Sequence, residues 1–261
     1  HISLRRLDPQ ALVDLIVTGS CEFEAPEWLF DLDAPGHYLR RIKMISLTLP
    51  CVTGPHASIN AKLTLLRSDT RMVPLTRTGY EQKLEGDTRF ETRFGASDAV
   101  FITTGRDDSG LFEPNLRDER YLPFEGAGVV ARWRIEFPSD IQQFDRTTIS
   151  DVVLHLRYTA RDAGHDLAIA AKNALKERWR PAGKAEDLKV MVSLRTEYAA
   201  EWVRAQQAAA NSISVVIDPQ VHLPYWMQAT GIGFNTSTSV SAAFLRQSDA
   251  GEPAELEWAT A

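Results

Sequence analysis

The stretch DAPGHYLRRIKMISLTLPCVTGP, residues 33–55, contains the pattern that decides the fold. A Pro-Gly turn opens it and a Gly-Pro turn closes it. Between them, Ile45, Leu47 and Leu49 alternate with polar residues, which is typical of a strand with one buried face. Ile42 and Met44 follow the opposite phase, and this change of face predicts either a β-bulge inside the strand or a strand whose start is buried on both sides.

The same period of two recurs along the chain, separated by turns rich in Gly, Pro and Asp. Many short strands of this kind predict a mainly β fold, an antiparallel β-sandwich or jelly-roll-like domain with one or two peripheral α-helices. Residues 74–98 are polar and weakly patterned, so they predict a long loop or irregular edge strands. The alternating apolar positions are Ile59–Leu65, Trp133–Phe137, Val152–Tyr158, Val190–Leu194, Ile213–Ile217 and Val240–Phe244.

Helical signals are few. Asp8 as N-cap, Pro9 at the first helical position and Gly19 after the last predict a helix over 9–18. Apolar spacing predicts two further helices, at about 163–180 and 198–209. We therefore divide the chain into a short helical lead-in, residues 1–20, and a β-sandwich, residues 21–261.

The composition narrows the classes of function. The 261 residues carry a formal net charge of −6, which argues against a general nucleic-acid-binding surface. No apolar run approaches the ~18 residues of a membrane span, so we expect no membrane contact by this domain itself. The first residues lack the apolar core of a signal peptide, so we expect the start to continue from a longer chain. Cys21 and Cys51 are the only cysteines, and both a disulfide and two separate thiols remain open.

No motif of known chemistry is present. The sequence lacks a nucleophile elbow, the HExxH and CxxC motifs and a P-loop, so it predicts neither a cofactor nor a metal site, and no enzyme. Asp107 and Asp108 do not have the one-three-five spacing of a calcium-binding EF-hand loop. A glycoside hydrolase would require two carboxylates across a cleft, which the sequence does not single out.

Charge is densest in residues 105–128 and just before the strand quoted above. Charged groups beside Tyr121 and an apolar Leu-Pro-Phe run suit a protein-docking loop, because Tyr and Arg are favoured interface anchors. The cations before the strand also have an ordinary interpretation as its solvated start. The predicted partner-binding residues are Arg40, Arg41, Arg106, Asp107, Asp108, Arg117, Asp118, Glu119, Arg120 and Tyr121.

Three long blocks of the sequence are similar to one known family. Residues 7–66 (LDPQALVDLIV…AKLTLL), 106–138 (RDDSGLFEPNLRDERYLPFEGAG…EFP) and 148–164 (TISDVVLHLRYTARDAG) occur in order, and they resemble the C-terminal region of Tc toxin A components, TcA. These are the large pore-forming subunits of bacterial toxin complexes. The resemblance implies a non-enzymatic TcB-binding domain, with a pore-forming region preceding residues 1–20.

The resemblance also implies partners and location. In this family TcA forms a homopentamer around a translocation channel, and the β-propeller of the TcB–TcC cocoon docks onto the C-terminal domains. The implied protein is secreted and extracellular, as part of a large bacterial toxin complex. The alternative is a carbohydrate-binding β-sandwich module, in which exposed aromatic residues stack on sugar rings. The candidates for that role are Trp179, Trp202, Tyr225 and Trp226.

Overall fold

The structure is a computed structural model, in which the chain forms two compact units, His1–Ile213 and Ser214–Ala261. The described residues are 1–53, 58–76, 79–83, 87–104, 111–112, 124–138, 144–178, 192, 197–207, 241–242 and 259–260. The strands predicted at 190–194 and 213–217 lie outside them, apart from Val192. The lead-in role of residues 1–20 stays a prediction.

Unit 1 is a sandwich of two antiparallel four-stranded sheets, which confirms the predicted fold class. Sheet A has the strand order β1-β8-β3-β6 and sheet B the order β2-β7-β4-β5. The strands of sheet A are β1 (Ile2–Ser3), β3 (His37–Thr48), β6 (Leu111–Phe112) and β8 (Val153–Asp162). Those of sheet B are β2 (Ser20–Ala25), β4 (Ser58–Arg71), β5 (Phe90–Thr104) and β7 (Val130–Glu136).

Short helices complete the unit. They are α1 (Leu4–Leu7), α2 (Pro9–Thr18), α3 (Glu27–Asp31), a 3₁₀ turn (Arg146–Thr148), α4 (His165–Arg178) and α5 (Ala199–Gln207). The predicted caps of α2 are confirmed: the Asp8 carboxylate accepts from the Ala11 amide at 3.1 Å, and Gly19 ends the helix with φ 85°. Only glycine adopts that left-handed conformation at little cost.

Unit 2 is described at two short strands, β9 (Ser241–Ala242) and β10 (Ala259–Thr260), which pair in antiparallel fashion. They include part of the strand predicted around Val240–Phe244.

The alternating apolar residues fill the space between the sheets. Leu47 from β3, Leu63 from β4 and Trp133 from β7 are fully buried in one core, which also receives Leu12 and Leu15 of α2. Each buried side chain of this size contributes about 1.5–3 kcal/mol through removal of apolar surface from water.

The predicted bulge in β3 is confirmed. The pairing of β3 with β8 shifts register between Tyr38 and Arg41 and again between Ile42 and Met44. The second shift resets the alternation, so that Ile42 and Ile45, three residues apart, pair with Tyr158 and Leu156 on one face of β8 and are both buried in the core.

Residues 74–98 prove to be both loop and edge strand. The first part, up to Arg89, forms a turn-rich loop where it is described, and Phe90 begins β5, the edge strand of sheet B. The alternation of apolar and polar residues is weak here because the start of the edge strand, residues 90–95, has no fully buried side chain, and Phe94 is 79% exposed.

Candidate protein-docking surface

The structure places the two predicted cations of β3 in opposite environments. Arg40 is buried, with 4% of its side chain exposed, and its guanidinium donates to Asp31 Oδ1 at 2.7 Å and to the Ala34 carbonyl at 2.8 Å. Arg41 has 38% of its side chain exposed. The contacts of Arg40 are therefore those of a buried residue that holds the fold together. Arg41 is a surface residue. The partner contacts predicted for both stay predictions.

The remaining predicted partner-binding residues lie outside the described residues. They are Arg106, Asp107, Asp108, Arg117, Asp118, Glu119, Arg120 and Tyr121.

Charged side chains from three elements meet around Arg41. Arg41 Nη2 lies 3.7 Å from Glu91 Oε2 on β5, and Glu91 also pairs with Arg93 at 2.9 Å. Lys43, the extra residue of the bulge, pairs with Glu125 at 3.2 Å. We call these five residues the β3 edge surface. Its ion pairs are exposed, so each contributes only about 0–1 kcal/mol to stability and the groups remain available to a partner.

Both described ends of the charged segment contact β3. At one end, Phe112 of β6 pairs with Leu47. At the other, the Gly126 amide donates to the Ile42 carbonyl at 2.9 Å, and the Ile42 amide donates back to Ala127 at 2.8 Å. The chain thus leaves the described region beside the end of β3 and returns beside Arg41. Phe112 and Gly126 are therefore both anchored on β3, the strand that carries Arg41 and Lys43.

The returning turn is held in an uncommon conformation. Phe124 has φ 69°, a left-handed value that is costly for a bulky residue. Its ring is buried and packs edge-to-face on Trp133, with centroids 5.2 Å apart. Gly128, at the end of the turn, passes so close to β4 that a Cβ there would lie 2.2 Å from the Asp69 carbonyl oxygen. Packing and close backbone approach therefore fix the position of Glu125.

Beneath the surface lies a buried network of charged groups that joins the two sheets. It contains Glu27 and Asp31 of α3, Arg40 of β3, Arg71 of β4 and Tyr80. The Arg71 guanidinium donates two bonds of 2.7 Å to the Glu27 carboxylate and a third, also 2.7 Å, to the Tyr80 carbonyl. Tyr80 Oη donates to Asp31 Oδ2 at 2.5 Å. We call this set the inter-sheet network.

Burial governs the titration of the network. It is the largest effect on Glu27 and raises the pKa of its carboxyl group, although the hydrogen bonds from Arg71 act in the opposite direction. Burial opposes the charge of Arg71, but the Glu27 carboxylate outweighs it, and the pKa of Arg71 is raised. Burial also raises the pKa of Tyr80, with the charges of Glu27 and Asp31 adding to it. Tyr80 is therefore a neutral donor at physiological pH.

A second arginine organises the loop that carries Tyr80. Arg89 is 6% exposed, and all five of its guanidinium N–H groups are used. They donate to the Asp87 carboxylate and to three loop carbonyls, those of Leu75, Gly79 and Glu81. Hydrogen bonds from Arg89 are the largest effect on Asp87 and lower the pKa of its carboxyl group.

Replacement of Arg89 by lysine is expected to open this loop. A lysine ammonium has three donors on a single point and cannot reproduce a planar five-donor pattern. Hydrogen bonds to charged groups are worth about 1.5–3 kcal/mol, so we expect protease cleavage between residues 74 and 88 to accelerate by at least about tenfold. Limited proteolysis with mass-spectrometric mapping measures this. The matched control is Arg93→Lys, an exposed cation four residues further along the chain in β5, and equal cleavage of both variants would contradict the role of Arg89.

The outer face of sheet B carries charges that neutralise one another. Arg134 donates to Glu22 Oε1 at 2.5 and 2.9 Å, and Arg132 pairs with Glu22 Oε2 at 2.8 Å. The hydrogen bonds from Arg134 lower the pKa of Glu22.

Other chemistry is sparse in the described part of the chain. Within it, no group of three or more His, Cys, Asp or Glu side chains is arranged to hold a metal ion. Among the same residues, no helix has the length and apolar character needed to cross a membrane. Cys21 and Cys51 are free thiols, and burial, the largest effect on both, raises the pKa of Cys21 to about 12 and also that of Cys51.

Of the four aromatic residues that a carbohydrate-binding module would use, the structure describes one. Trp202 lies in α5 and is half-buried. Trp179, Tyr225 and Trp226 lie outside the described residues.

Sequence reasoning missed most of this arrangement. Lys43 and Glu125 lie in charge-dense segments of the sequence but are not distinguished there from their neighbours. Glu91 and Arg93 give no signal, because only the folded chain brings them to Arg41. The inter-sheet network had one usable sign: arginines inside otherwise strand-like segments, at positions 71 and 89, are candidates for buried ion pairs.

The described part of the chain is a two-sheet β-sandwich whose strand β3 carries exposed charges positioned by a bulge. The comparisons with known proteins give its family. A model of the Tc toxin complex TcA C-terminal TcB-binding domain matches residues 1–160, and the chain belongs to this family.

Individual relatives are larger proteins. The toxin subunit YenA2 of Yersinia entomophaga is 37% identical over 145 residues, which are 53% of this chain and 10% of YenA2. The cryo-EM structure of Yersinia pseudotuberculosis TcaA-TcaB is 25% identical with a TM-score of 0.33, covering 55% of this chain and 7% of the other. That of Morganella morganii TcdA4 is 22% identical with a TM-score of 0.32, covering 55% and 6%. The chain thus spans about a tenth or less of the proteins that it matches.

Proposed function

We propose that this domain docks the β-propeller of a TcB–TcC cocoon onto the pentameric translocation channel of its TcA subunit, outside the bacterial cell. The observation that carries the proposal is the family match over residues 1–160, which includes both sheets except the last two residues of β8. The function is one of assembly rather than catalysis.

The β3 edge surface supports this role. It combines three cations with two carboxylates, and its side chains are between 38% and 57% exposed. Mixed charges of this kind set the register and the association rate of a complex more than its affinity. We include in the docking site Arg41 and the loop residues around Arg117 and Arg120. Arg40, Asp107 and the other predicted residues remain part of the same proposal.

The first experiment is biolayer interferometry of a cognate TcB–TcC cocoon against the 261-residue chain and against the full-length TcA pentamer. The pentamer is expected to bind tightly and the single domain weakly, because the avidity of five linked sites is lost. Absence of binding by both would refute the proposed function.

A charge-reversal variant then tests the docking site. Arg41→Glu, Arg117→Glu and Arg120→Glu together are expected to slow association with TcB–TcC by about tenfold or more at low salt. Arg40 is left unchanged, because a carboxylate at this buried position would face Asp31 and disrupt folding. The matched control reverses Arg132, a cation on the outer face of sheet B that is 55% exposed. Equal association rates for both variants would remove these arginines from the site.

A further inference from the structure

The outer face of sheet A carries arginines that the proposed docking site does not use. Along β8, Leu154 is buried and Tyr158 half-buried, whereas Arg157, Thr159 and Arg161 are exposed. The alternation places these three exposed side chains on the face turned away from the core.

Strand pairing adds a third arginine. In the register of β3 with β8, Arg41 lies opposite Thr159, and the neighbouring pairs are Met44 with Arg157 and Tyr38 with Arg161. Along the paired strands, Arg41 therefore lies between Arg157 and Arg161. We call Arg41, Arg157 and Arg161 the arginine face.

These guanidinium groups are poorly neutralised by the described part of the chain. Arg41 has Glu91 at 3.7 Å, and no described carboxylate lies within ion-pair distance of Arg157 or Arg161. Asp162, next to Arg161, uses Oδ1 to accept from the Gly164 amide at 2.8 Å. The next outward residue along β8 is His155, which bonds to Thr48 at 2.7 Å and contributes no carboxylate.

The contrast with sheet B shows that this is not the ordinary surface pattern of the domain. There, the single carboxylate of Glu22 pairs with both Arg132 and Arg134. Arg157 and Arg161 make no ion pair within the described residues, and the Arg41–Glu91 pair is exposed, so these side chains add little to the stability of the isolated sandwich. In a chain of net charge −6, folding alone gives no reason to gather these arginines on one face.

Recognition of a partner does give a reason. An exposed guanidinium fork pairs with carboxylates in bidentate fashion, and arginine is enriched in protein interfaces. A local positive field also attracts an acidic partner and raises its association rate.

We infer that the arginine face binds an acidic protein surface, and that in the toxin complex this surface belongs to TcB. The inference rests on the proposed function, which it deepens by giving the charge of the partner surface and a second face of the sandwich that contacts it. Arg41 belongs both to this face and to the β3 edge surface, so the two form one continuous site around the edge of sheet A.

The test uses full-length TcA and a cognate TcB–TcC cocoon. Arg157→Glu with Arg161→Glu is expected to reduce the association rate by about tenfold or more and to flatten its dependence on salt. Arg157→Lys with Arg161→Lys retains the charge and is expected to preserve most of the association rate. The matched control, Lys172→Glu with Lys176→Glu, makes the same change of charge on exposed positions of α4.

Three outcomes overturn the inference, and they differ from failure of the proposed function. If wild-type TcA binds TcB–TcC and the glutamate variant binds at the same rate, the arginine face is not part of the contact. If the helix control loses as much as the glutamate variant, net charge rather than this face governs binding. If the glutamate variant alone fails to form pentamers in size-exclusion chromatography, the face lies between copies of TcA. Failure of wild-type TcA to bind concerns the proposed function itself.

Discussion

Substitution of Arg71 by methionine is expected to destabilise the domain by about 3–5 kcal/mol. The Arg71 side chain is 2% exposed, and its loss leaves the Glu27 carboxylate buried without its bidentate partner. Methionine fills much of the same volume, so the change tests charge and hydrogen bonding rather than a cavity. The guanidinium also lies between the rings of Tyr80 and Phe90, at 4.5 and 4.4 Å from their centroids, and these cation–π contacts are lost too.

Urea unfolding of the 261-residue chain, followed by tryptophan fluorescence, measures the change in the free energy of unfolding. The matched control is Arg132→Met, which removes an exposed ion pair and is expected to cost less than about 1 kcal/mol. Combining Arg71→Met with Glu27→Gln removes the buried charge as well and is expected to recover part of the loss. A loss for Arg71→Met no larger than that of the control would show that the inter-sheet network does not stabilise the fold.

Replacement of Trp133 by alanine is expected to lower the free energy of unfolding by about 3–5 kcal/mol. Trp133 is the largest fully buried side chain of the core, so truncation leaves a cavity between the sheets. The edge-to-face contact with Phe124 is lost as well, and such contacts are worth about 0.5–1.5 kcal/mol. Because that contact supports the positive φ of Phe124, we expect the turn beside β3 to loosen more than the rest of the sandwich.

Guanidinium unfolding gives the global effect, and hydrogen exchange gives the local one. The informative amides are those of Gly126 and Ile42, which join the turn to β3. Trp133→Phe is expected to lose much less than Trp133→Ala, since it keeps an aromatic ring against Phe124. Val52→Ala, at a position 72% exposed, serves as a control expected to stay within about 0.5 kcal/mol of wild type. If the exchange rates of these two amides are unchanged in Trp133→Ala, the Trp133 side chain does not stabilise the turn.

The two predictions concern the same architectural problem. The β3 edge surface is built on β3, which belongs to sheet A, while its residues Glu91 and Arg93 come from sheet B. The inter-sheet network and the Trp133–Phe124 contact hold these parts in register. Variants that weaken either are therefore expected to lower affinity for TcB without touching the contact residues, and stability must be measured beside binding.

The sequence by itself determined the local architecture. Period-two alternation identified β3, β4, β7 and β8, although it did not single out β1, β2 or β6, and the change of phase at Ile42 and Met44 indicated the bulge in β3. Asp8, Pro9 and Gly19 marked the ends of α2. These features follow from neighbours within one strand or one helical turn, and the sequence displays such neighbours directly. The resemblance over three long blocks likewise pointed to the family.

Only the tertiary structure decided what the charged residues do. Arg40 and Arg41 are adjacent and chemically identical, yet one is buried against Asp31 and the other is exposed beside Glu91. The difference arises because successive side chains of a strand point to opposite faces, and the bulge determines which face each residue takes. Whether a charge is buried then depends on a partner such as Glu27 for Arg71, 44 residues away in sequence. Local pattern cannot supply that pairing, because it exists only when the two sheets have closed on each other.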